Sequence, residues 1–270
     1  MESTDRSISG NERRLTMRVG KNSLMFSVEN HLSEGGIKVE KYEYNSGISI
    51  AANLRNALRT SPLLQTRYKA VLIAVDSPVM LVPVDECQEQ DLETLYKHTF
   101  KWKKSDDIDT VILPELNAAA VFSVNKDLKM VANDNFAEVR IQPLMLPVWR
   151  HLYHRSFMGA RRKLYVYFHE KEMTIFAFHQ KRFRFNNVYE ARETQNILYY
   201  ILYVWKQLGM QSESDELHLV GEIPNEKELK DDLLKFLRRC YVVHPEIDFS
   251  NMAIGRRTDI PYDLKTLYRD

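Results

Sequence analysis

His151 and His154 stand three residues apart in RHLYHR, a spacing that puts two imidazoles on one face of a helix and suits two ligands of a metal ion. No third ligand is near in sequence, and Arg155, Arg161, Arg162 and Lys163 would repel a cation, so the expectation is a solvated basic helix end and no metal. The second stretch with chemical potential is basic. Residues 155–184 carry eight basic and two acidic side chains, with Arg155, Arg161, Arg162, Lys163, Lys181, Arg182 and Arg184 set among Tyr165, Tyr167, Phe168, Phe176, Phe178, Phe183 and Phe185. Cations interleaved with aromatics can neutralise phosphates and stack bases. The aromatics alternate as on strands, however, which turns most of them into a core. Residues 211–232 have the opposite bias, eight acidic against two basic, so the simpler reading is a pair of oppositely charged solvated faces.

Several chemistries are disfavoured at once. The chain contains no GxxxxGK[ST] and no GxGxxG, and only nine glycines in 270 residues, none of them between Gly47 and Gly159. Phosphate cradles made of glycine backbone are therefore scarce, which argues against a P-loop NTPase, a Rossmann dehydrogenase and a standard protein kinase. Cys87 and Cys240 are too few for a disulfide framework and neither lies in a CxxC, so they read as buried thiols in a reducing compartment. Lys and Arg number 38 against 37 Asp and Glu, and that balance identifies no partner. The first 22 residues hold five basic and three acidic side chains with no apolar run, unlike a signal peptide. The longest apolar run, residues 197–205, is far short of the roughly 18 residues of a membrane span. A cytoplasmic location is the expectation.

The elements that must position these residues follow from periodicity. Residues 1–22 are polar and aperiodic and read as a loose arm. Residues 23–30 and 37–44 alternate as a strand pair, with Glu34, Gly35 and Gly36 in the turn. Helical spacing covers 48–58, and strands are expected at 70–75, 79–82, 110–113, 118–124 and 128–131. Asp85 with Gln88 is a capping pattern for a helix carrying Leu92, Leu95 and Tyr96, and 143–153 reads as a helix with Pro147 in its first turn. From 164 a fresh series begins: strands at 164–168, 173–178 and 182–188, a helix at 194–208 closed by Gly209, a strand at 217–220, a helix at 226–239 capped by Asn225, and a strand at 241–244. Its helix 197–208 is apolar nearly all round, with Tyr199, Tyr200 and Tyr203 as either core or a partner-binding stripe.

The order βββαβαβ is that of a ribonuclease H-like unit, and the first half gives a degraded version of it. The expected fold is therefore α/β, two tandem ribonuclease H-like subdomains with mixed sheets flanked by helices. The expected organisation is an arm (1–22), a first half (23–157), a second half (158–250) and a C-terminal tail (251–270), with a cleft between the halves. Such a unit can also host a two-metal nuclease, for which strand-end carboxylates would be Glu29 with Asp76 or Glu170 with Glu222. Solvated turn residues are the simpler reading of all four.

Four segments carry a resemblance to a known family: VLIAVDSPVMLVPVDE (71–86), RIQPLMLPVWRHLYH (140–154), the stretch 164–193 and LHLVGEIP (217–224). They resemble the actin-like proteins of pilus and secretion assembly platforms, and more closely a bacterial domain-of-unknown-function family with the actin-like ATPase fold. The resemblance implies nucleotide between the halves, gripped by a DxG-type turn after the first strand of each half and by a Gly-Gly segment facing the adenosine. Matched positions here are Glu29, Asn30 and His31 in the first half, His169, Glu170 and Lys171 in the second, and Gly221 with Glu222 for the adenosine segment. Glutamates do poorly what a glycine amide and a magnesium-ordering aspartate do for a triphosphate. The expectation is a non-catalytic protein-interaction or scaffold protein without a cofactor, bound to another cytoplasmic protein. An ATP- and magnesium-binding actin-like switch is the alternative, and a nucleic-acid-binding protein using residues 155–184 a further one.

Overall fold

The computed structural model describes residues 14–30, 33, 36–86, 88–157 and 160–269. Residues 1–13 of the expected arm, the turn residues Glu34 and Gly35, His31 and Cys87 lie outside them. The chain divides into two compact units, the first made of residues 1–79, 92–109 and 121–144, the second of residues 80–91, 110–120 and 145–270.

Along residues 15–143 the order is β1 (Leu15–Val19), β2 (Ser23–Glu29), β3 (Ile37–Glu43), α1 (Ile50–Thr60), β4 (Ala70–Val75), β5 (Val79–Pro83), α2 (Glu89–Thr99), β6 (Asp106–Leu113), β7 (Ala118–Asn125), α3 (Lys126–Asn135) and β8 (Glu138–Pro143). The main sheet of the first unit runs β3-β2-β1-β4-β8, and β5, β7 and β6 form a small sheet of their own in that order. β1 corrects the sequence reading, which placed LTMRV in the loose arm. All five of its residues are buried, since it pairs antiparallel with β2 (Leu15↔Val28) and parallel with β4 (Leu15↔Val71). Leu15, Met17 and Val19 do alternate with Thr16 and Arg18, but five residues at the end of a polar stretch are too short a pattern to stand out. Residues 128–131, read as a strand, lie within helix α3, whose buried Leu128, Val131 and Ala132 follow helical spacing. Asp85 does not cap α2: it sits in a short 3-10 turn, Val84–Glu86, and its carboxylate takes Asn117 Nδ2 at 2.6 Å and Arg182 Nη2 at 2.8 Å.

Helix α1 depends on two polar residues. Ser49 caps it, accepting from Ala52 N at 3.2 Å. Asn53, 2% exposed, accepts from Asn45 N at 2.8 Å and donates to the carbonyls of Asn45 and Ser49, each at 3.1 Å, so one amide ties the incoming chain to the helix. Asn53→Ala strands those groups in a buried position and is expected to cost about 2 kcal/mol. Urea unfolding of the two proteins checks this, and equal midpoints would show that the amide contributes nothing.

The second unit holds α4 (Met145–Ser156), β9 (Lys163–His169), β10 (Glu172–His179), β11 (Arg182–Glu190), α5 (Thr194–Gln207), β12 (Glu216–Gly221), α6 (Glu226–Leu234), β13 (Cys240–Val243), α7 (Pro245–Asp248) and α8 (Tyr262–Leu267). Its sheet order, β11-β10-β9-β12-β13, repeats that of the first unit, with β12 parallel to both β9 and β13. One face packs on α5 and α6 through Leu164, Val166, Ile175, Ile197, Ile201, Val204, Leu217, Leu219 and Leu229. The other carries an aromatic layer in which Phe183 meets Trp149 and Phe178 meets Tyr153, both partners being on α4. α4 belongs to this unit, with Pro147 in its first turn where no backbone N–H is needed. Residues 251–270, expected as a tail, are largely structured: Leu264 and Thr266 of α8 are fully buried and α8 packs against α4. Helix α6 ends at Leu234, earlier than the expected 239, and Asn225 precedes it at φ 44° without a side-chain cap, its Nδ2 directed to Thr194 Oγ1 at 3.5 Å.

Two ribonuclease H-like sheets of the same strand order are thus present. The first was disguised by the missed β1 and by the insertion β5–β7 between β4 and α3.

Candidate functional site

In the second unit the end of β9, the start of β10 and the end of β12 meet. His169 pairs with Glu172, so the turn between β9 and β10 is only two residues, Glu170 and Lys171, at φ 45° and 68°. Positive φ at both central positions is the hairpin geometry whose twist matches the flanking strands; Asn-Gly usually supplies it, and here two charged residues do. His169 is 4% exposed and stacks on Tyr167 with ring centres 5.2 Å apart, so it belongs to the aromatic layer.

Gly221 ends β12 at φ 90°. A Cβ there would lie 2.3 Å from the Phe168 carbonyl oxygen and 2.8 Å from Tyr167 Cε2. The same carbonyl accepts from Glu222 N at 2.9 Å, so the glycine lets β12 turn away from β9 while keeping one more hydrogen bond. Beside this corner is an open cavity of about 430 Å³ lined by Phe168, Lys171, Glu172, Arg192, Glu222 and Pro224 among others. Two cations face two carboxylates in it.

In the first unit the strand order reassigns the matched turn. Glu29 is exposed and Asn30 half-buried at the end of β2, so the first-half positions chosen by sequence follow the second strand rather than the first. The turn after β1 is Gly20, Lys21 and Asn22. Gly20 N donates to Ser23 O at 3.0 Å, while its carbonyl accepts from Tyr44 Oη at 3.1 Å and the Asn22 carbonyl from Tyr44 N at 3.0 Å. Its glycine amide is therefore used inside the turn. The sequence signal was present as GKN but was hidden with β1.

The basic stretch is largely neutralised within the second unit. Arg155 pairs with Asp248, Arg161 with Glu216 at 3.4 Å, Arg162 with Asp215 at 2.6 Å and Arg182 with Asp85 at 2.8 Å. Lys181 and Arg184 have no ion pair among the described residues. Of the expected aromatics, Tyr165, Tyr167, Phe168 and Phe176 are almost wholly buried, while Phe178, Phe183 and Phe185 are half-buried.

His151 and His154 also part company. His154 is exposed, whereas His151 is 4% exposed, with Nε2 2.8 Å from Asp248 Oδ2 and its ring stacked on Phe249. Asp248 also accepts from Arg155 and from Tyr262 Oη. Burial opposes ionisation of Asp248, but the hydrogen bonds from His151 and Tyr262 and the charges of His151 and Arg155 prevail and hold it down at about 2. A second buried carboxylate, Asp263, accepts from Tyr167 Oη at 2.8 Å, and the buried Lys265 donates to Gly255 O at 3.1 Å. These polar groups fasten residues 245–269 to α4 and the sheet. Sequence reasoning missed them; the one available signal was the apolar spacing of Ile260, Leu264 and Leu267 on either side of Pro261. Among the described residues no group of three His, Cys, Asp or Glu could hold a metal, and no helix is long and apolar enough to cross a membrane. Cys240 is buried, and burial pushes its thiol up to about 12, outside the range of a reactive thiolate.

A protein of Bacteroides thetaiotaomicron VPI-5482 with an actin-like ATPase fold and unknown function is 26% identical to this chain, with TM-score 0.79 over 92% of this chain and 97% of that one. A chain of the PilM–PilN type IV pilus biogenesis complex is 11% identical, with TM-score 0.58 over 96% and 98%. No curated protein matches. The fold is that of the actin-like ATPases, as the paired sheet orders imply. The family described as protein of unknown function (DUF3822) matches residues 3–240, and this chain belongs to it.

Proposed function

We propose that the chain is a non-catalytic protein-interaction module built on the actin-like frame, with its nucleotide-gripping turns converted to structural corners. The observation that carries this reading is the β9–β10 turn: a two-residue Glu170-Lys171 hairpin stands where a phosphate-binding loop would be needed. Triphosphate requires several backbone N–H groups and a surplus of positive charge. The adjoining cavity instead balances Lys171 and Arg192 with Glu172 and Glu222, and the Gly20 amide is used within its own turn. A surface suited to a protein partner is present on α5 and β11. Tyr199 is 61% and Tyr203 46% exposed, and they form a run of ring contacts with Tyr200 and Tyr189. Tyrosine offers large contact area at low conformational cost, which is why it concentrates at interfaces. The same frame occurs in the PilM–PilN complex, an instance of an actin-like chain in a protein assembly.

Titration calorimetry of the full chain with ATP and magnesium tests the reading. Binding weaker than about 100 μM, roughly −5.5 kcal/mol, is expected. Tighter binding that releases phosphate over time would instead establish the actin-like switch.

A further inference from the structure

The end of α2 and the loop after it concentrate positive charge in the first unit. Residues 94–105 contain Lys97, His98, Lys101, Lys103 and Lys104 and no acidic side chain, in a chain whose total is balanced at +1. Lys101, Lys103 and Lys104 are exposed and have no ion pair among the described residues. The flanking acids are answered by other cations: Glu93 by Lys97, Asp107 by Lys129 at 3.3 Å and Lys126 at 3.8 Å, and Asp109 by Lys129 at 2.9 Å. Asp106, which accepts from Ser105 Oγ at 3.3 Å, is the one flanking carboxylate without a cation among the described residues, and one acid against three lysines leaves the lysines in surplus.

Apolar surface sits among these charges. Trp102 is 36% exposed, with Lys97 Nζ 4.5 Å from its ring centre, and Leu95 on α2 is 45% exposed. The loop is fixed at both ends. Phe100 N donates to Tyr96 O and Asp106 N to Lys103 O, each at 2.9 Å, and from the start of α3 Lys126 N donates to Ser105 O and Lys126 Nζ to Lys104 O, also at 2.9 Å. The indole and the three free lysines are therefore presented together on a turn that the unit's own backbone has already shaped.

We propose that this turn is a peripheral docking surface for a bilayer containing anionic lipid, with the Trp102 indole at headgroup level and Lys101, Lys103 and Lys104 against the lipid phosphates. An indole suits the boundary between water and lipid because its ring is apolar while its N–H finds acceptors among the headgroups, and lysine brings its ammonium on a long apolar stem. Each lysine close to an anionic surface strengthens binding about fivefold, so three supply about a hundredfold, which is reversible attachment and not insertion. Nucleic acid fits the turn less well. One exposed indole is no platform for successive bases, and residues 94–105 contain no arginine to grip a phosphate with two parallel donors.

Sedimentation of the full chain with vesicles of phosphatidylcholine, alone or with about 30% phosphatidylglycerol, tests the proposal, with tryptophan emission as the second readout. Binding is expected on the anionic vesicles, at least about tenfold weaker on the neutral ones, and weakened at about 0.5 M salt. Trp149 and Trp205 are 1% and 4% exposed, so a blue shift of emission on binding reports Trp102. Lys103→Glu with Lys104→Glu should weaken binding about thirtyfold or more. Lys181→Glu with Arg184→Glu makes the same change of net charge at exposed residues of the second unit and should leave binding nearly intact. Equal losses in the two double variants would show that net charge, and not this turn, drives adsorption, and would overturn the proposal. So would the absence of binding to anionic vesicles, binding without a change in emission, or a single-stranded oligonucleotide that binds more tightly than the vesicles and is lost with Lys103 and Lys104.

Discussion

Replacing Gly221 by alanine is expected to destabilise the second unit by about 4 kcal/mol, a drop of roughly 10 °C in melting temperature. Two independent costs add. At φ 90° any L side chain is strained, which accounts for about 1–2 kcal/mol. The new Cβ would also meet the Phe168 carbonyl oxygen at 2.3 Å and the Tyr167 ring at 2.8 Å, and neither can withdraw. Phe168 is paired to Met173 in the ladder, and Tyr167 Oη is held by the buried Asp263. Relief therefore requires β12 to move off β9, with loss of the hydrogen bond from Glu222 N to Phe168 O. Gly209→Ala is the control: it also has positive φ, 59°, but nothing lies within 4 Å of its Cβ, so only the backbone strain remains. Melting curves for both variants decide the matter. If the two fall by the same amount, the close approach of β12 to Phe168 contributes nothing.

Asp248→Asn is expected to cost about 3 kcal/mol at pH 7 and to remove the steepest part of the acid unfolding profile. Asp248 is 4% exposed and is the shared acceptor for His151, Arg155 and Tyr262, so an amide in its place leaves the half-buried Arg155 without its anion. The sign of the pH effect follows from the direction of its shift. The folded carboxyl titrates at about 2, below its ordinary 3.8, so the stabilisation is complete above about pH 4 and is lost as the pH falls toward 2. A shift of that size corresponds to about 2 kcal/mol in the native protein. The difference between native and variant should accordingly shrink across pH 4 to 2. Urea unfolding at pH 7, 4, 3 and 2.5 measures it, and a difference that stays constant with pH would show that the charge of Asp248 is not what holds residues 245–269 to α4. Tyr262→Phe, which removes one of the hydrogen bonds that hold this carboxyl down, should cost about 1 kcal/mol above about pH 4 and less as the pH falls toward 2.

Much of the second unit was legible in the chain itself. The strands Lys163–His169 and Glu172–His179 are dense in β-branched and aromatic residues, and Thr194–Gln207 is apolar at helical spacing and stopped by Gly209, so local preference and burial point the same way. That consistency made βββαβαβ readable and with it the ribonuclease H-like unit. The glycine poverty of the chain and the charged residues at 169–172 were likewise enough to mark the phosphate turn as unusual.

Other features were decided only by the tertiary structure. Strand β1 is recognised by its two neighbours rather than by its own pattern, because five alternating residues at the end of a polar stretch carry little signal; with it were hidden both the symmetry of the two sheets and the true first-unit turn at Gly20. Helix α3 and strand share the same apolar residues over 128–131, and the capping Asn125 with its bond to Leu128 N settles them as helix. Charge pairing is the clearest case. Arg155, Arg161, Arg162 and Arg182 find their carboxylates 93, 55, 53 and 97 residues away, separations over which no sequence pattern operates, so a run that reads as a free basic surface becomes a set of internal ties. What the fold leaves of that charge is concentrated at Arg184 and Lys181, because only the packing of strands β9 to β11 against α5 determines which cations meet an acid and which meet solvent.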